Sequence, residues 1–209
     1  MDIAFALYPG MTLLDMTGPH EVLAHHPEVT CHYLATRPGP LATDTGFQVT
    51  ATAAFSDLPR PDVIVVPGGG GYARALEEET ELVDWLAAAH PSAAWTTSVC
   101  TGSTLLAKAG ILTGRPATTH WGARDVLGGL GAQVSTDRVV VDGDVITAAG
   151  VSAGIDMGLT LAERLWGLET ARAIQLFIEY APEPPFTPVA SEEAGPEMVE
   201  ALDRILSGV

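Results

Sequence analysis

Apolar runs of strand length alternate along the chain with longer stretches whose apolar residues recur at helical spacing. This alternation predicts an α/β fold in which a mostly parallel sheet carries helices on both faces. The runs predicted to be buried strands are IAFALY at 3–8, DVIVVP at 62–67 and AAWTTSV at 93–99. Because the second of these runs is apolar after its first residue and stops at four glycines, we expect it to be a central strand.

Helical spacing predicts helices in several other stretches of the chain. These are residues 13–23, 80–89, 103–110, 152–166 and 169–180. In the first stretch, Gly18-Pro19 predicts a break, since proline can start a helix but does not continue one. The segment PEMVEALDRILSGV predicts a last, amphipathic helix that begins near Pro196 and ends at Gly208.

Two regions are predicted to pair locally. DRVVVDGDVITAAG at 137–150 has an Asp-Gly turn between alternating strands, which indicates a hairpin. CHYLAT at 31–36 and FQVTATAAF at 47–55 together predict an edge hairpin or a side extension of the sheet. No repeat or linker interrupts the succession before the proline-rich EYAPEPPF, so we expect one domain over residues 1–209.

Composition narrows the class of protein. The 209 residues include 26 acidic and 10 basic side chains, and a formal net charge of −16 argues against a general nucleic-acid binder. With 47% hydrophobic residues, the chain has enough apolar material for a folded core. We find no signal peptide or membrane anchor after Met1 and expect a cytoplasmic protein. Cys31 and Cys100 are too few for a disulfide framework, and we interpret both as thiols.

Cys100 is the first candidate for chemistry. It lies in SVCTGS, where an apolar strand turns into a helix, as in a nucleophile elbow with cysteine in place of serine. Such a turn projects the side chain above the sheet, and the helix N-terminus is expected to lower the thiol pKa below its free value of about 8.5. The alternative is a buried core cysteine, the usual place of a lone cysteine.

The glycine run after the central strand supports a reactive Cys100. In PGGGG, backbone amides without side chains can face an anion beside the nucleophile, so Gly69, Gly70 and the Thr101 N–H are candidates for an oxyanion-binding site. A nucleotide-binding loop is disfavoured, because neither G-x-G-x-x-G in its βαβ setting nor a Walker lysine is present. The alternative for the glycines is a tight exit from the strand.

Asp15 and His120 are candidate partners of the thiol. LLDMTGP places Asp15 in an apolar segment just beyond the first strand, where burial would raise its pKa and suit it to acid and base roles. An ordinary helix cap is the alternative. His120 in ATTHW follows a short apolar strand and is either a substrate-facing group or a hydrogen-bonded structural histidine. The histidines share no ligand spacing with cysteine or acid, so we predict no metal site.

The segments LDMTGPHEVL, VIVVPGGGG and SVCTGSTLLAKAGILTGRPATTHW resemble the ThiJ/PfpI family of the glutamine amidotransferase-like superfamily. With IEYAPEPPF, they are similar to the branch of that family that hydrates isonitriles. The resemblance implies a flavodoxin-like three-layer sandwich and a homodimer that adds water to an isonitrile, giving an N-substituted formamide without a cofactor. It also implies that Cys100 is the nucleophile, that Asp15 is the acid/base carboxylate and that Thr101 follows the elbow.

Other functions stay open at this point. The same thiol would serve a non-catalytic redox or ligand sensor, with Cys31 as the candidate resolving cysteine. It would also serve another activity of the family, such as a glyoxalase, deglycase or peptidase. The fold also resembles the sensor half of AraC-type transcription regulators, but we find no helix-turn-helix in this sequence.

Overall fold

The structure is a computed structural model that describes residues 1–187 and 189–207. These residues fall into two compact units, one over Met1–Glu179 and one that begins at Tyr180. The first unit contains the strands and the first seven helices, and the second contains the last helix. That one domain spans residues 1–209 stays a prediction.

The described residues form eleven strands, most of which belong to a seven-stranded sheet. In chain order they are β1 (Asp2–Ala6), β2 (Thr30–Ala35), β3 (Gly39–Ala42), β4 (Gln48–Ala51), β5 (Ala53–Ala54), β6 (Val63–Val66), β7 (Trp95–Val99), β8 (Pro116–Ala117), β9 (Gln133–Val134), β10 (Val139–Asp142) and β11 (Val145–Ala148). The strand order of the main sheet is β10-β11-β7-β6-β1-β2-β5.

The main sheet is parallel except at β10, which runs antiparallel to β11. Strand β6 lies in the middle of the sheet between β1 and β7, and its residues VIVV are all buried. The prediction of a central strand after Asp62 is therefore confirmed. A mostly parallel sheet of this kind, covered by helices, is the flavodoxin-like α/β fold that the sequence predicts.

Eight helices occur in the described part of the chain. They are α1 (Leu13–Leu23), α2 (Tyr72–Glu78), α3 (Thr80–Ala89), α4 (Gly102–Lys108), α5 (Arg124–Gly129), α6 (Ala153–Trp166), α7 (Leu168–Phe177) and α8 (Pro196–Ser207). The predicted helices match α1, α3, α4, α6, α7 and α8, whereas the pattern does not predict α2 and α5. Gly208, which was expected to end α8, lies outside the described residues.

The predicted break in α1 is wrong, because α1 continues through Pro19 to Leu23. Close packing against α6 holds this helix together. A Cβ at Gly154 would lie 3.2 Å from Pro19 Cδ, and a Cβ at Gly158 would lie 3.3 Å from Pro19 Cα. The small residues of α6 therefore let α1 approach closely, and this tertiary contact outweighs the local cost of the proline.

The hairpin at 137–150 is confirmed, because β10 and β11 pair on either side of a turn in which Gly143 has φ +57°. The second predicted hairpin is partly wrong. Strand β2 joins the main sheet parallel to β1, and β3 pairs with β4 in a separate two-stranded sheet. The Gly/Pro-rich stretch between the two predicted segments supplies β3, whereas β2 follows a helical crossover and so runs parallel to β1.

None of the helices described within residues 1–187 and 189–207 is long and apolar enough to cross a membrane.

Candidate active site

Three neighbouring strands end at the same level of the sheet. Phe5 of β1 lies opposite Val65 of β6, and Val66 of β6 lies opposite Ser98 of β7. When these registers are continued past the strand ends, Tyr8, Gly68 and Cys100 come side by side. This carboxyl edge is where parallel α/β sheets place their ligands.

Cys100 forms a sharp elbow between β7 and α4. It has φ +57°, a left-handed conformation that non-glycine residues seldom adopt, and only 4% of its surface is exposed. Its N–H donates to the Ala148 carbonyl at 3.0 Å, and its carbonyl accepts from Thr119 Oγ1 at 3.0 Å. Contacts with two other segments thus hold the strained residue in place.

The elbow fits against the end of β6 because glycines stand at the contact. A Cβ at Gly68 would lie 2.4 Å from the Thr101 nitrogen, and one at Gly102 would lie 2.3 Å from the Val66 oxygen. Both collisions would be with backbone, which cannot move away as a flexible side chain does. Glycine is thus required at these two positions for the two loops to meet.

Asp15 is fully buried and lies in the first turn of α1, whose N-cap residue is Thr12. Its Oδ2 accepts the Gly68 N–H at 2.9 Å, and the Thr12 N–H donates to the Gly68 carbonyl at 2.8 Å. The start of α1 is therefore hydrogen-bonded to both the N–H and the carbonyl of Gly68. Asp15 is not the helix cap, and its Oδ1 has no hydrogen-bond partner of regular geometry among the described residues.

Burial changes the proton affinity of both Asp15 and Cys100. Desolvation raises the pKa of Asp15 to about 7, against the smaller lowering effects of the Gly68 N–H and the Cys100 thiol. Desolvation, followed by the negative charge of Asp15, raises the pKa of Cys100 to about 12. The predicted lowering of the Cys100 pKa is therefore wrong, because one Thr101 N–H does not offset burial beside a carboxylate. The pair disfavours two negative charges and favours sharing a proton.

The glycine amides that were predicted to bind an oxyanion are engaged inside the protein. The Gly69 N–H donates to Thr101 Oγ1 at 2.9 Å, and the Gly70 N–H points to Asp44 Oδ2 at 3.4 Å. That Gly69 and Gly70 bind an oxyanion stays a prediction. The Thr101 N–H instead interacts with the Cys100 sulfur and lowers its pKa.

His120 lies in the loop that touches the elbow through Thr119. Its Nδ1 accepts the Gly122 N–H at 3.2 Å, and its ring lies 5.3 Å from that of Trp121. Burial, and then the charge of Arg124, lower the pKa of His120, which favours the neutral ring. The contact with Gly122 fits the structural alternative, and contact of His120 with a substrate stays a prediction.

Tyr8 is the residue of this edge that the sequence pattern does not single out. It closes the apolar run IAFALY and so resembles an ordinary core residue. It is fully buried, and its hydroxyl has no regular hydrogen-bond partner in the described part of the chain. Desolvation, and then the charges of Asp15 and Cys100, raise the pKa of Tyr8 well above its usual value. The sequence signal that could have found Tyr8 is its position. It lies three residues beyond Phe5, which pairs with Val65 of β6, the strand that ends at the glycines.

Cys31 lies far along the sheet from the elbow. It pairs with Ile3 near the start of β1, whereas Cys100 follows the end of β7. Because the strands run parallel, the two cysteines lie at opposite ends of the sheet, about one strand length apart. Both are free thiols. Among the residues that the structure describes, no group of three or more His, Cys, Asp or Glu side chains is placed to hold a metal ion.

An elbow cysteine next to a buried acid at the edge of this sheet defines a class of proteins. Residues 1–164 match the DJ-1/PfpI family, and the chain belongs to that family. A more particular similarity is to the isonitrile hydratase of Pseudomonas putida, which is 44% identical over 200 residues covering 96% of this chain and 87% of the relative. A ThiJ/PfpI family protein from Pseudomonas syringae has a similar solved structure, with a TM-score of 0.92, 35% identity and coverage of 99% and 86% of the two chains.

Two further comparisons concern a regulator of which about half is matched and a solved structure of similar fold. The transcriptional regulator CdhR of Pseudomonas aeruginosa is 32% identical over 81% of this chain, which matches 52% of the regulator. The structure of Drosophila melanogaster DJ-1beta has a TM-score of 0.78 at 22% identity, covering 87% of this chain and 98% of that chain. The latter likeness concerns the fold alone.

Proposed function

We propose that this protein is an isonitrile hydratase, which adds water to an isonitrile and releases an N-substituted formamide. The observation that carries the proposal is the buried Asp15 carboxyl beside the Cys100 thiol, two groups in hydrogen-bond contact whose pKa values are both raised. The near full-length similarity to the Pseudomonas putida enzyme supports the choice of substrate class.

In the first half of the reaction, the terminal carbon of the isonitrile must receive both a nucleophile and a proton. As the Cys100 sulfur attacks the terminal carbon of the isonitrile, Asp15 takes the thiol proton and passes it to that carbon. One S–H bond breaks, and a C–S and a C–H bond form, giving a covalent thioimidate. The raised pKa of Asp15, about 7, suits it to both proton transfers near neutral pH.

Water completes the reaction. Asp15, again a carboxylate, takes a proton from water as the oxygen adds to the thioimidate carbon, and it passes this proton to the imine nitrogen. The C–S bond of the tetrahedral intermediate then breaks as the carbonyl forms, and the proton of the added hydroxyl goes to the sulfur, which restores the Cys100 thiol and releases the formamide. The sum is one isonitrile and one water giving one formamide, so neither an oxidant nor a cofactor takes part.

The proposal is tested by incubating the protein with one alkyl and one aryl isonitrile in water enriched in oxygen-18. We expect each isonitrile to give its formamide carrying one oxygen-18 atom, at a rate proportional to protein concentration. Methylglyoxal and a peptide substrate run in parallel measure the other activities considered for this family. Formamide no faster than in buffer, with turnover of either parallel substrate, would assign the site to a different reaction.

A sensor role makes a different prediction for the same thiol. Mild peroxide treatment followed by mass spectrometry would then find a stable sulfenic or sulfinic acid on Cys100 in a protein that leaves isonitriles unchanged. The place of Cys31 at the other end of the strands argues against a disulfide-forming sensor.

We also propose that the protein works as a homodimer in the cytoplasm. Leu176 and Phe177 at the end of α7 are 80% and 69% exposed, and such apolar surface favours a partner. The free thiols of Cys31 and Cys100 suit a reducing compartment. Light scattering at micromolar concentration is expected to give twice the mass of the chain, and a clean monomer that hydrates isonitriles would exclude a required partner.

A further inference from the structure

The site contains a buried hydrogen-bond donor that the reaction described above does not use. The Tyr8 side chain is fully buried at the carboxyl edge of β1, and its hydroxyl has no hydrogen-bond partner of regular geometry among residues 1–187 and 189–207. A buried polar group without a partner costs free energy, and such groups in native proteins call for a functional explanation.

The sheet register places Tyr8 beside the reactive Cys100. Continuing the pairing of Phe5 with Val65 and of Val66 with Ser98 brings Tyr8 to the level of Gly68 and Cys100. The charges of Asp15 and Cys100 both act on the phenol, as expected for neighbours across this edge. Tyr8, Asp15 and Cys100 are therefore buried neighbours at this edge of the sheet.

The proposed reaction brings one oxygen atom to this edge of the sheet. Hydration places oxygen on the carbon attached to Cys100, and this oxygen needs a donor in the tetrahedral intermediate. The Gly69 N–H is already donated to Thr101 Oγ1, and the Gly70 N–H points to Asp44. Tyr8 is a buried donor at this edge whose hydrogen bond is unmade among the described residues, and the charges of both Asp15 and Cys100 act on it.

We propose that the Tyr8 hydroxyl donates a hydrogen bond to the oxygen added at the Cys100-bound carbon, an inference that rests on the proposed hydration. The phenol stays neutral throughout and transfers no proton, because its burial beside acidic groups disfavours the phenolate. Tyr8 is thus a further catalytic residue, which acts after the thioimidate has formed.

Replacing Tyr8 by phenylalanine tests this role with the ring kept in place. We expect the melting temperature of Tyr8→Phe to equal or exceed that of the wild type, since the lost hydroxyl has no partner to leave behind. We expect kcat for hydration to fall by about 10²-fold, as when one oxyanion donor is removed. Because the slowed step follows attack, mass spectrometry during turnover should find more thioimidate on Cys100 in the variant.

Tyr33→Phe is the matched control. Tyr33 lies on β2 and its hydroxyl hydrogen-bonds His20 Nε2 at 2.7 Å, so this variant loses a made bond outside the site. We expect a lower melting temperature and an unchanged kcat, the reverse of the result for Tyr8→Phe. A Tyr8→Phe protein that hydrates isonitriles at the wild-type rate without extra adduct overturns the proposal.

A small aldehyde separates this inference from the proposed function. Propanal adds to the Cys100 thiol to give a hemithioacetal, which has a tetrahedral carbon with one oxygen and involves no isonitrile. In a Cys31→Ser background, protection of Cys100 from iodoacetamide reports the adduct, and Tyr8→Phe should need about tenfold more propanal for the same protection. If the wild type hydrates no isonitrile but this difference is found, the proposed function fails and the role of Tyr8 stands. Equal protection in the two proteins overturns the role.

Discussion

Cys100→Ser is expected to lower kcat/KM for isonitrile hydration by at least about 10³-fold, since removal of a covalent nucleophile has effects of this size or larger. The substitution changes one atom in a side chain that is 4% exposed, so the fold should persist. A serine hydroxyl holds its proton more tightly than a thiol and is a poorer nucleophile toward the isonitrile carbon. The measurement is formamide formation at several substrate concentrations, together with a melting curve.

Cys31→Ser is the control that the chain itself provides. Cys31 is half-buried near the start of β2, at the opposite end of the parallel strands from the elbow. Cys31→Ser loses a thiol just as Cys100→Ser does, but it should keep kcat/KM within a factor of two of the wild type. A Cys100→Ser protein that retains a tenth or more of wild-type activity would contradict covalent catalysis by this thiol.

Asp15→Asn is expected to lower kcat by about 10²-fold to 10⁴-fold, the usual range for loss of a general acid or base. The amide keeps the size of the carboxyl, and its oxygen can still accept the Gly68 N–H that now binds Oδ2 at 2.9 Å. It does not carry a proton between the thiol, the isonitrile carbon and water. Asp84→Asn, an exposed carboxylate on α3, should leave kcat unchanged. Activity of Asp15→Asn close to that of the wild type would assign proton transfer to another group.

The same variant should change how stability depends on pH. The pKa of Asp15 is raised from 3.8 to about 7 in the folded protein, so the folded state keeps a proton that the unfolded chain loses in this range. The free energy of unfolding should therefore fall as the pH rises from about 4 to about 7, by at most about 1.4 kcal/mol per pH unit from this group. Urea unfolding across this window should give a flatter dependence for Asp15→Asn, and parallel curves would contradict the buried acid.

The framework of the site could be predicted from short segments of sequence. A short apolar run that stops at glycines is typical of a buried strand with a tight exit, and β6 is the central strand. The same logic places Cys100 at a strand-to-helix turn and Asp15 beyond the first strand, where parallel strands bring their carboxyl ends together. These predictions depend on local pattern and on the geometry of one sheet.

The chemistry of the site depends on contacts that local pattern does not contain. The pKa of Cys100 is raised because the surrounding core removes water from the thiol and because the charge of a carboxylate from α1 lies beside it; together these effects outweigh the lowering by Thr101. The Gly69 N–H is engaged because the Thr101 hydroxyl faces it across the loop contact. Likewise, α1 passes through Pro19 because α6 supports it from outside the helix. Each difference arises from residues far apart in the chain.

The contact of Gly68 and Gly102 with facing backbone has a consequence for directed evolution of this protein. A Cβ at either position would come within 2.4 Å of main-chain atoms, so saturation libraries at these positions should yield almost only inactive clones. These two positions therefore offer no room for tuning substrate preference. Libraries that hold Gly68 and Gly102 fixed while varying the loop around His120 should be richer in active members.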